Sequence, residues 1–441
     1  MSIGDTYQPL TTDTIPAWLD AHPRLRAFVP GSPLHVREVG DGNLNLVFIL
    51  TDTAGRGLVL KQALPYVRLV GPDWPMRPDR ARREAEVTEV HGRVAPGVVP
   101  EIYAYDAERY LIAMEDLSDH RVWRGALNEG LRHDGVAEAL GRYLAAVAFG
   151  TSPLGMDPEE HKALAAATSN GELCRITEDL VFTEPYVDAG RNSVLPANEA
   201  DAADLAADTV MVEAMGLAKW KFMTEAEAIV HGDLHTGSVM VRGSGPDGAP
   251  GDGPSTARVI DSEFAFCGPV AFDIGALWAN ELIAATRGAA LGDATHQAWC
   301  LDLVPRTWHA FDAEFRRLWP TRVDPRVWHD ELGERLLAHW REDAWLFAAA
   351  KMARRIVGLA KTSDIETLDP DVRAPAARSV LATARAAVRE RHGDSTPEAL
   401  VALARCQAAL GELGASSATL EEAAGAIALV PEHGFLAAEL L

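Results

Sequence analysis

Apolar and polar positions alternate along Val36–Glu38 and Leu44–Leu50, which predicts two extended segments joined by a turn at Gly40-Asp41-Gly42-Asn43. A third strand, Leu58–Gln62, follows the turn around Gly55-Arg56-Gly57. A charged helical pattern covers Asp79–Val94, and Ile102–Asp106 with Arg109–Met114 predicts a hairpin. Residues 1–115 therefore read as a small, mostly β lobe carrying one helix. Long helical stretches follow over residues 130–230. Three short strands, Ile229–His231, Ser238–Arg242 and Ala257–Asp261, sit in that helical setting. The chain is helical again after residue 270, with many Trp and Arg, and becomes Ala-rich from about Pro370. Gly243–Thr256 (GSGPDGAPGDGPST) has no residue suited to a core and is expected to be a flexible loop between two strands.

Composition adds scale to this pattern. With 441 residues, 48% of them hydrophobic, the chain exceeds one ordinary core, and two packed lobes are expected. The 41 basic and 64 acidic residues leave a net charge of −23, which repels nucleic acid and anionic membrane. An anionic ligand is still compatible, because a pocket can be locally basic. Apolar runs such as Val94–Val99 are far shorter than a membrane span. The segment MSIGDTYQPL has neither the basic nor the apolar region of a signal peptide, so a cytoplasmic location is expected. Cys174, Cys267, Cys300 and Cys406 are scattered, with neither disulfide nor zinc-site spacing.

The segment His231-Gly232-Asp233-Leu234-His235-Thr236-Gly237-Ser238 follows a short apolar strand. Phosphoryl transfer needs a carboxylate to orient the attacking hydroxyl beside the γ-phosphate, and Asp233 suits that role. Ser238 is placed to help hold a metal ion. Further along, Val259-Ile260-Asp261-Ser262-Glu263 ends a strand in two carboxylates, the hard oxygen donors that Mg²⁺ on ATP requires. Lys61 terminates the apolar run Leu58–Leu60 and can aim its ammonium at ATP phosphates. Read alone, it is equally an edge-strand lysine. Glu84 and Glu86 are its candidate ion-pair partners, Glu84 preferred. The loop Gly40–Asn45, carrying Asn43 and Asn45, occupies the place of a phosphate cover without the usual glycine spacing. Met114-Glu115-Asp116-Leu117 would form the hinge whose backbone binds adenine.

With these pieces in order, the chain resembles the methylthioribose kinases, within the aminoglycoside-phosphotransferase and choline-kinase branch of the protein-kinase-like fold. The resemblance runs over roughly residues 30–370 and rests on GDGNLNLVF (Gly40–Phe48), KQALPYVRLVGPDWPM (Lys61–Met76), MEDLSDH (Met114–His120), HGDLHTGS (His231–Ser238), DSEFAFCGPVAFDIGA (Asp261–Ala276) and ARRIVGLAKTSDIE (Ala353–Glu366). It implies an α+β, bilobal fold, with a β-rich N-lobe over residues 1–115 and a mostly helical C-lobe over 116–385; the segment 386–441, whose Ala-rich pattern predicts a helical extension, lies beyond the resemblance. The resemblance further implies ATP and Mg²⁺ as cofactors, Asp233 as catalytic base, Asp261 and Glu263 as metal ligands, and Lys61 at the ATP phosphates. Arg354 and Arg355 match a paired arginine that binds a sugar substrate, Trp74 lies in a loop expected near the nucleotide, and Asp273 is expected to brace the catalytic loop. Cys267 and Ser262 depart from the Tyr and Pro of the family pattern. The expected reaction is transfer to the 1-hydroxyl of 5-methylthioribose, with a homodimer left open as the assembly. The alternatives are a kinase of another sugar or small alcohol, such as 5-deoxyribose, and a non-catalytic nucleotide-binding regulator.

Overall fold

The computed structural model describes residues 7–40, 44–68, 71–187 and 189–412. Five antiparallel strands build the first sheet: β1 (His35–Val39), β2 (Asn45–Thr51), β3 (Gly57–Ala63), β6 (Ile102–Asp106) and β7 (Leu111–Met114), in the order β1-β2-β3-β7-β6. A small hairpin of β4 (Tyr66–Val67) and β5 (Gly71–Pro75) projects from it.

The period of two along β3 decides what each face of this sheet does. Leu58 and Leu60 join Phe48, Leu50, Leu111 and Ala113 in a cluster closed by Ile15, Trp18, Leu19 and Leu25. These last four belong to two short helices, Ile15–Asp20 and Pro23–Arg26, which cover the outer face of the sheet and were not foreseen. Val59 and Ala63 face the other way, with Ile112, Met114 and residues Ala81 and Ala85 of helix Arg80–Val94. Lys61 lies between Val59 and Ala63 in that alternation, so the strand itself aims its ammonium at the inner face.

After β7 the chain enters a largely helical region. Helix Val270–Ala290 is buried along most of its length and packs against helices Ala294–Leu318 and Asp330–Val357. Three short pairings frame the segment His231–Ser238. β10 (Val239–Arg242) lies between β8 (Arg121–Val122) and β11 (Thr256–Val259), while β9 (Ala228–Val230) pairs with β12 (Phe266–Gly268). The Gly/Pro segment 243–256 thus connects two hairpin strands, as its composition predicts. Helix Pro370–Glu390 runs through position 385, where the sequence suggested that an extension would begin. Arg385 and Arg389 tie that helix to Asp208 at 2.8 and 2.7 Å, and helix Pro397–Glu412 packs against it. The rest of the expected extension lies outside the described residues. Among the described residues, no helix is long and apolar enough to cross a membrane.

The central helix carries one costly residue. Glu281 is completely buried; its Oε1 accepts from Thr307 Oγ1 at 3.1 Å, and its Oε2 has no hydrogen-bond partner among the described residues. Burial pushes its carboxyl up to about 8. The folded protein therefore holds a proton that the unfolded chain releases near the ordinary value of 4.5. The resulting stabilisation is complete at low pH and is lost as pH rises through the window up to the folded value. Glu281→Gln should flatten this dependence: the variant's melting temperature should fall less than the wild type's between about pH 5 and pH 8. Parallel melting curves for the two proteins would show that Glu281 is not the titrating group.

Candidate active site

The segment His231–Ser238, the candidate catalytic loop, follows β9. Gly232 has φ +82°, and a Cβ there would lie 2.2 Å from Phe264 O, so only glycine fits this turn. Asp273, near the start of helix Val270–Ala290, accepts from His231 N at 2.6 Å and Gly232 N at 3.1 Å, the bracing expected of it. His231 accepts from Asp233 N through Nδ1 at 3.3 Å, which leaves Nε2–H to donate to Ile260 O at 2.9 Å. His235 Nδ1 accepts from Gly237 N at 3.0 Å, so the proton of its neutral ring sits on Nε2, 3.4 Å from Asp233 Oδ2. Burial lowers His235 to about 3, against the pull of Asp233, which keeps the ring neutral. Ser238 Oγ donates to Asp233 O at 3.1 Å, inside the same loop.

Asp233 is partly exposed, its side chain 23% accessible, and its Oδ1 receives the ammonium of Lys351 at 2.8 Å. Burial would raise its carboxyl, but Lys351 and then His235 outweigh burial and hold it well below the ordinary range. It is therefore an ionised, partly exposed acceptor. Burial in turn lowers Lys351 to about 8, Asp233 opposing. One turn later on the same helix stand Arg354 and Arg355, both buried. Arg354 Nε is buried without a hydrogen-bond partner among the described residues, and its charge reaches Asp233. Arg355 instead donates to Lys361 O at 3.2 Å, holding the turn after the helix. Arg124 adds a fourth cation; it donates to Asn280 Oδ1 at 2.8 Å and pairs with Asp364 at 3.2 Å.

On the inner face of the sheet, Lys61 Nζ donates to Glu84 Oε1 at 2.6 Å and also contacts Asp261 Oδ1. Burial alone would lower the ammonium; Asp261 and then Glu84 reverse the effect and hold it above its ordinary range. Glu84 is thus the partner of Lys61, while Glu86 pairs with Arg82 at 2.6 Å. Glu263 is not at a strand end. It lies in the turn after Asp261, where its Oε2 accepts from Arg80 Nε and Asn45 Nδ2, each at 3.1 Å. Burial, then the charge of Asp261, raises its carboxyl. Asn45 begins β2 rather than lying in the preceding loop, and its side chain donates to Glu263; Asn43 lies outside the described residues. At the expected hinge, Met114 ends β7, Glu115 accepts from Arg258 at 2.9 Å, and Leu117 is buried. Trp74, on β5, lies under the Arg191 guanidinium, 5.2 Å from the ring centroid.

Residues 35–313 match the phosphotransferase enzyme family. Methylthioribose kinase of Escherichia coli O45:K1 is 38% identical over 406 residues, which cover 87% of this chain and 94% of that protein. This chain belongs to the phosphotransferase enzyme family. Methylthioribose kinase of Geobacillus kaustophilus is likewise 38% identical over 389 residues, covering 87% of this chain and 93% of its own. Choline kinase from Cryptosporidium parvum superposes with a TM-score of 0.44 at 9% identity, over 95% of this chain and 99% of that one. The protein is a phosphotransferase, a small-molecule kinase similar to the methylthioribose kinases, and as a kinase of this family it uses a nucleotide.

Three residues of this phosphotransferase site escaped the sequence reading, Arg124, Lys351 and Arg80, and the last two left a trace. Lys351 is the one charged residue in the otherwise apolar run Trp345–Ala353, a position that burial makes expensive without a partner. Arg80 opens a helix, where the dipole disfavours a cation. Its compensation is tertiary: besides Glu263, it donates to Leu64 O at 2.9 Å, Leu44 O at 2.8 Å and Asn45 Oδ1 at 3.0 Å.

Proposed function

We propose that this phosphotransferase transfers the γ-phosphoryl group of ATP to the 1-hydroxyl of 5-methylthioribose, with Asp233 as the base. One observation carries the reading. An ionised, partly exposed Asp233 lies within the field of the Arg354 guanidinium, whose Nε has no hydrogen-bond partner among the described residues; together they offer an acceptor for a hydroxyl and a positive charge for the anionic group that hydroxyl receives. The four cations Lys351, Arg354, Arg355 and Arg124 disfavour choline or a polycationic aminoglycoside there and suit a neutral sugar. The relatives named methylthioribose kinase supply the choice of sugar.

The donor set also fits Mg²⁺. Asp261 has a side chain 47% accessible and offers a hard oxygen to the cleft, with Glu263 behind it, fixed by Arg80 and Asn45. Bound there with ATP, the ion would neutralise phosphate charge. Lys61, braced by Glu84, would hold the α- and β-phosphates, and the hinge backbone from Met114 to Leu117 the adenine. A cytoplasmic location accompanies ATP as donor.

The test is ATP consumption by the purified protein with methylthioribose, 5-deoxyribose, ribose, choline and aminoglycosides, with phosphorus NMR locating the new ester. Faster turnover of another acceptor would displace methylthioribose. The arginines should then separate. Arg354→Ala should lower kcat/KM for the sugar by about 10²-fold, the range for losing one donor to a developing oxyanion, with little change in melting temperature. Lys should replace it poorly, lacking the planar fork. Arg355→Ala should lose melting temperature as well, because it frees Lys361 O. Sugar kinetics and melting curves on the same samples decide; full activity in Arg354→Ala would remove it from the sugar site.

A further inference from the structure

Lys351 is 3% accessible at its side chain, donates to Asp233 Oδ1 at 2.8 Å, and lies 4.5 Å from the ring centroid of Phe272. Phe272 is fully buried and immediately precedes Asp273, the residue that clasps the backbone amides of His231 and Gly232. The start of helix Val270–Ala290 therefore fixes both the loop that carries Asp233 and the cation that grips its side chain. The two oxygens of Asp233 are unequal: Oδ1 is held at hydrogen-bond distance, and among the described residues Oδ2 has only the longer approach of His235 at 3.4 Å. A carboxylate on a loop is otherwise free to rotate about its last bond, and a base that acts in one direction only must be stopped from doing so.

We propose that Lys351 is a positioning residue for phosphoryl transfer: its ammonium pins Oδ1 of Asp233 and leaves Oδ2 to receive the proton of the acceptor hydroxyl. As that hydroxyl oxygen bonds to the γ-phosphorus, the bond to the ADP oxygen breaks, the proton passes to Oδ2, and Lys351 keeps its own protons. The long stem threads the helix interface, and the aromatic floor of Phe272 replaces part of the hydration the ammonium has lost. Arg354 and Arg355, one turn on, are left for ligand and helix end. The inference rests on Asp233 being the base of the proposed kinase.

The test compares Lys351→Met, Lys351→Cys before and after alkylation with 2-bromoethylamine, and Lys351→Met combined with Asp233→Asn. A misoriented base costs about 10²-fold, so kcat of Lys351→Met should fall by that order while the Kd for Mg·ATP stays unchanged. Aminoethylation of Lys351→Cys, which restores an ammonium at the same reach, should recover most of the rate; alkylated wild type is the control for the natural cysteines. The double variant should lose no more than Asp233→Asn alone, because both act through one carboxylate. Wild-type kcat in folded Lys351→Met, recovery of melting temperature without recovery of rate, or additive losses would each overturn the proposal. The parent reading fails separately: a wild type inert toward every acceptor in the panel removes both. A wild type active on a different acceptor changes only the substrate, and the same variants are then read on that acceptor.

Discussion

Asp233→Asn should leave the kinase folded and able to bind ATP while kcat falls by about 10²–10⁴-fold, the span attributed to a well-placed general base. Asn has the same shape but cannot take up the hydroxyl proton. Its backbone surroundings do not depend on the charge: Asp273 holds His231 and Gly232, and His231 accepts from the amide of residue 233. Residual turnover should come from substrate positioning. The structure adds a second signature, because Lys351 loses its counter-ion. Its ammonium, already lowered to about 8 by burial, should titrate lower still in the variant. A depressed lysine costs stability as pH falls, since the unfolded chain takes up the proton that the folded protein resists. The melting-temperature deficit of the variant should therefore be larger at about pH 6 than at about pH 9. Kinetics, ATP calorimetry and melting curves test all three parts. Near-normal turnover in the folded variant would remove Asp233 from the chemistry.

What the sequence made legible was local or strictly periodic. The apolar run Leu58–Leu60 singled out Lys61 at its end, and the charged helix offered Glu84, the partner it meets at 2.6 Å. The glycine of His231-Gly232-Asp233 signalled a turn, and Gly232 sits at φ +82° against Phe264 O. What stayed hidden depended on contacts between distant segments. Asn45 looks like part of a loop in sequence; only the approach of the turn after β11 turns it onto Glu263. Arg80 looks like one more basic residue in a charged stretch until Leu44, Leu64 and Glu263 converge on it. The helices at Ile15–Asp20 and Pro23–Arg26 are too short to carry a firm period, and they form by packing Ile15, Trp18, Leu19 and Leu25 onto the sheet. Lys351 was readable in principle, as a lysine in a buried apolar run, but its partner is 118 positions away.

Asp261→Asn should abolish the benefit that Mg²⁺ brings to ATP binding and lower turnover by about 10³-fold, several kcal/mol of lost charge stabilisation. Asparagine is the cleaner substitution because Asp261 has φ +71°, a left-handed conformation that Asn tolerates and Ala resists. The change therefore removes charge and leaves the turn that carries Glu263. Its effects on nucleotide and metal should have opposite signs. Lys61 keeps Glu84 but loses the negative charge of Asp261, with only an amide oxygen left beside it, so its ammonium becomes more available to phosphate oxygens. At the same time one negative charge leaves the cleft. ATP without metal should consequently bind the variant at least as tightly as it binds the wild type, whereas added Mg²⁺ should no longer tighten it. Glu263 cannot simply take over, since Arg80 and Asn45 already hold its Oε2 at 3.1 Å and its side chain is only 4% accessible. Calorimetric titration of ATP with and without Mg²⁺ reads both effects. An unchanged Mg²⁺ enhancement in Asp261→Asn would transfer the metal to Glu263 or to another group, and weaker binding of metal-free ATP would show that Asp261 serves chiefly to position Lys61.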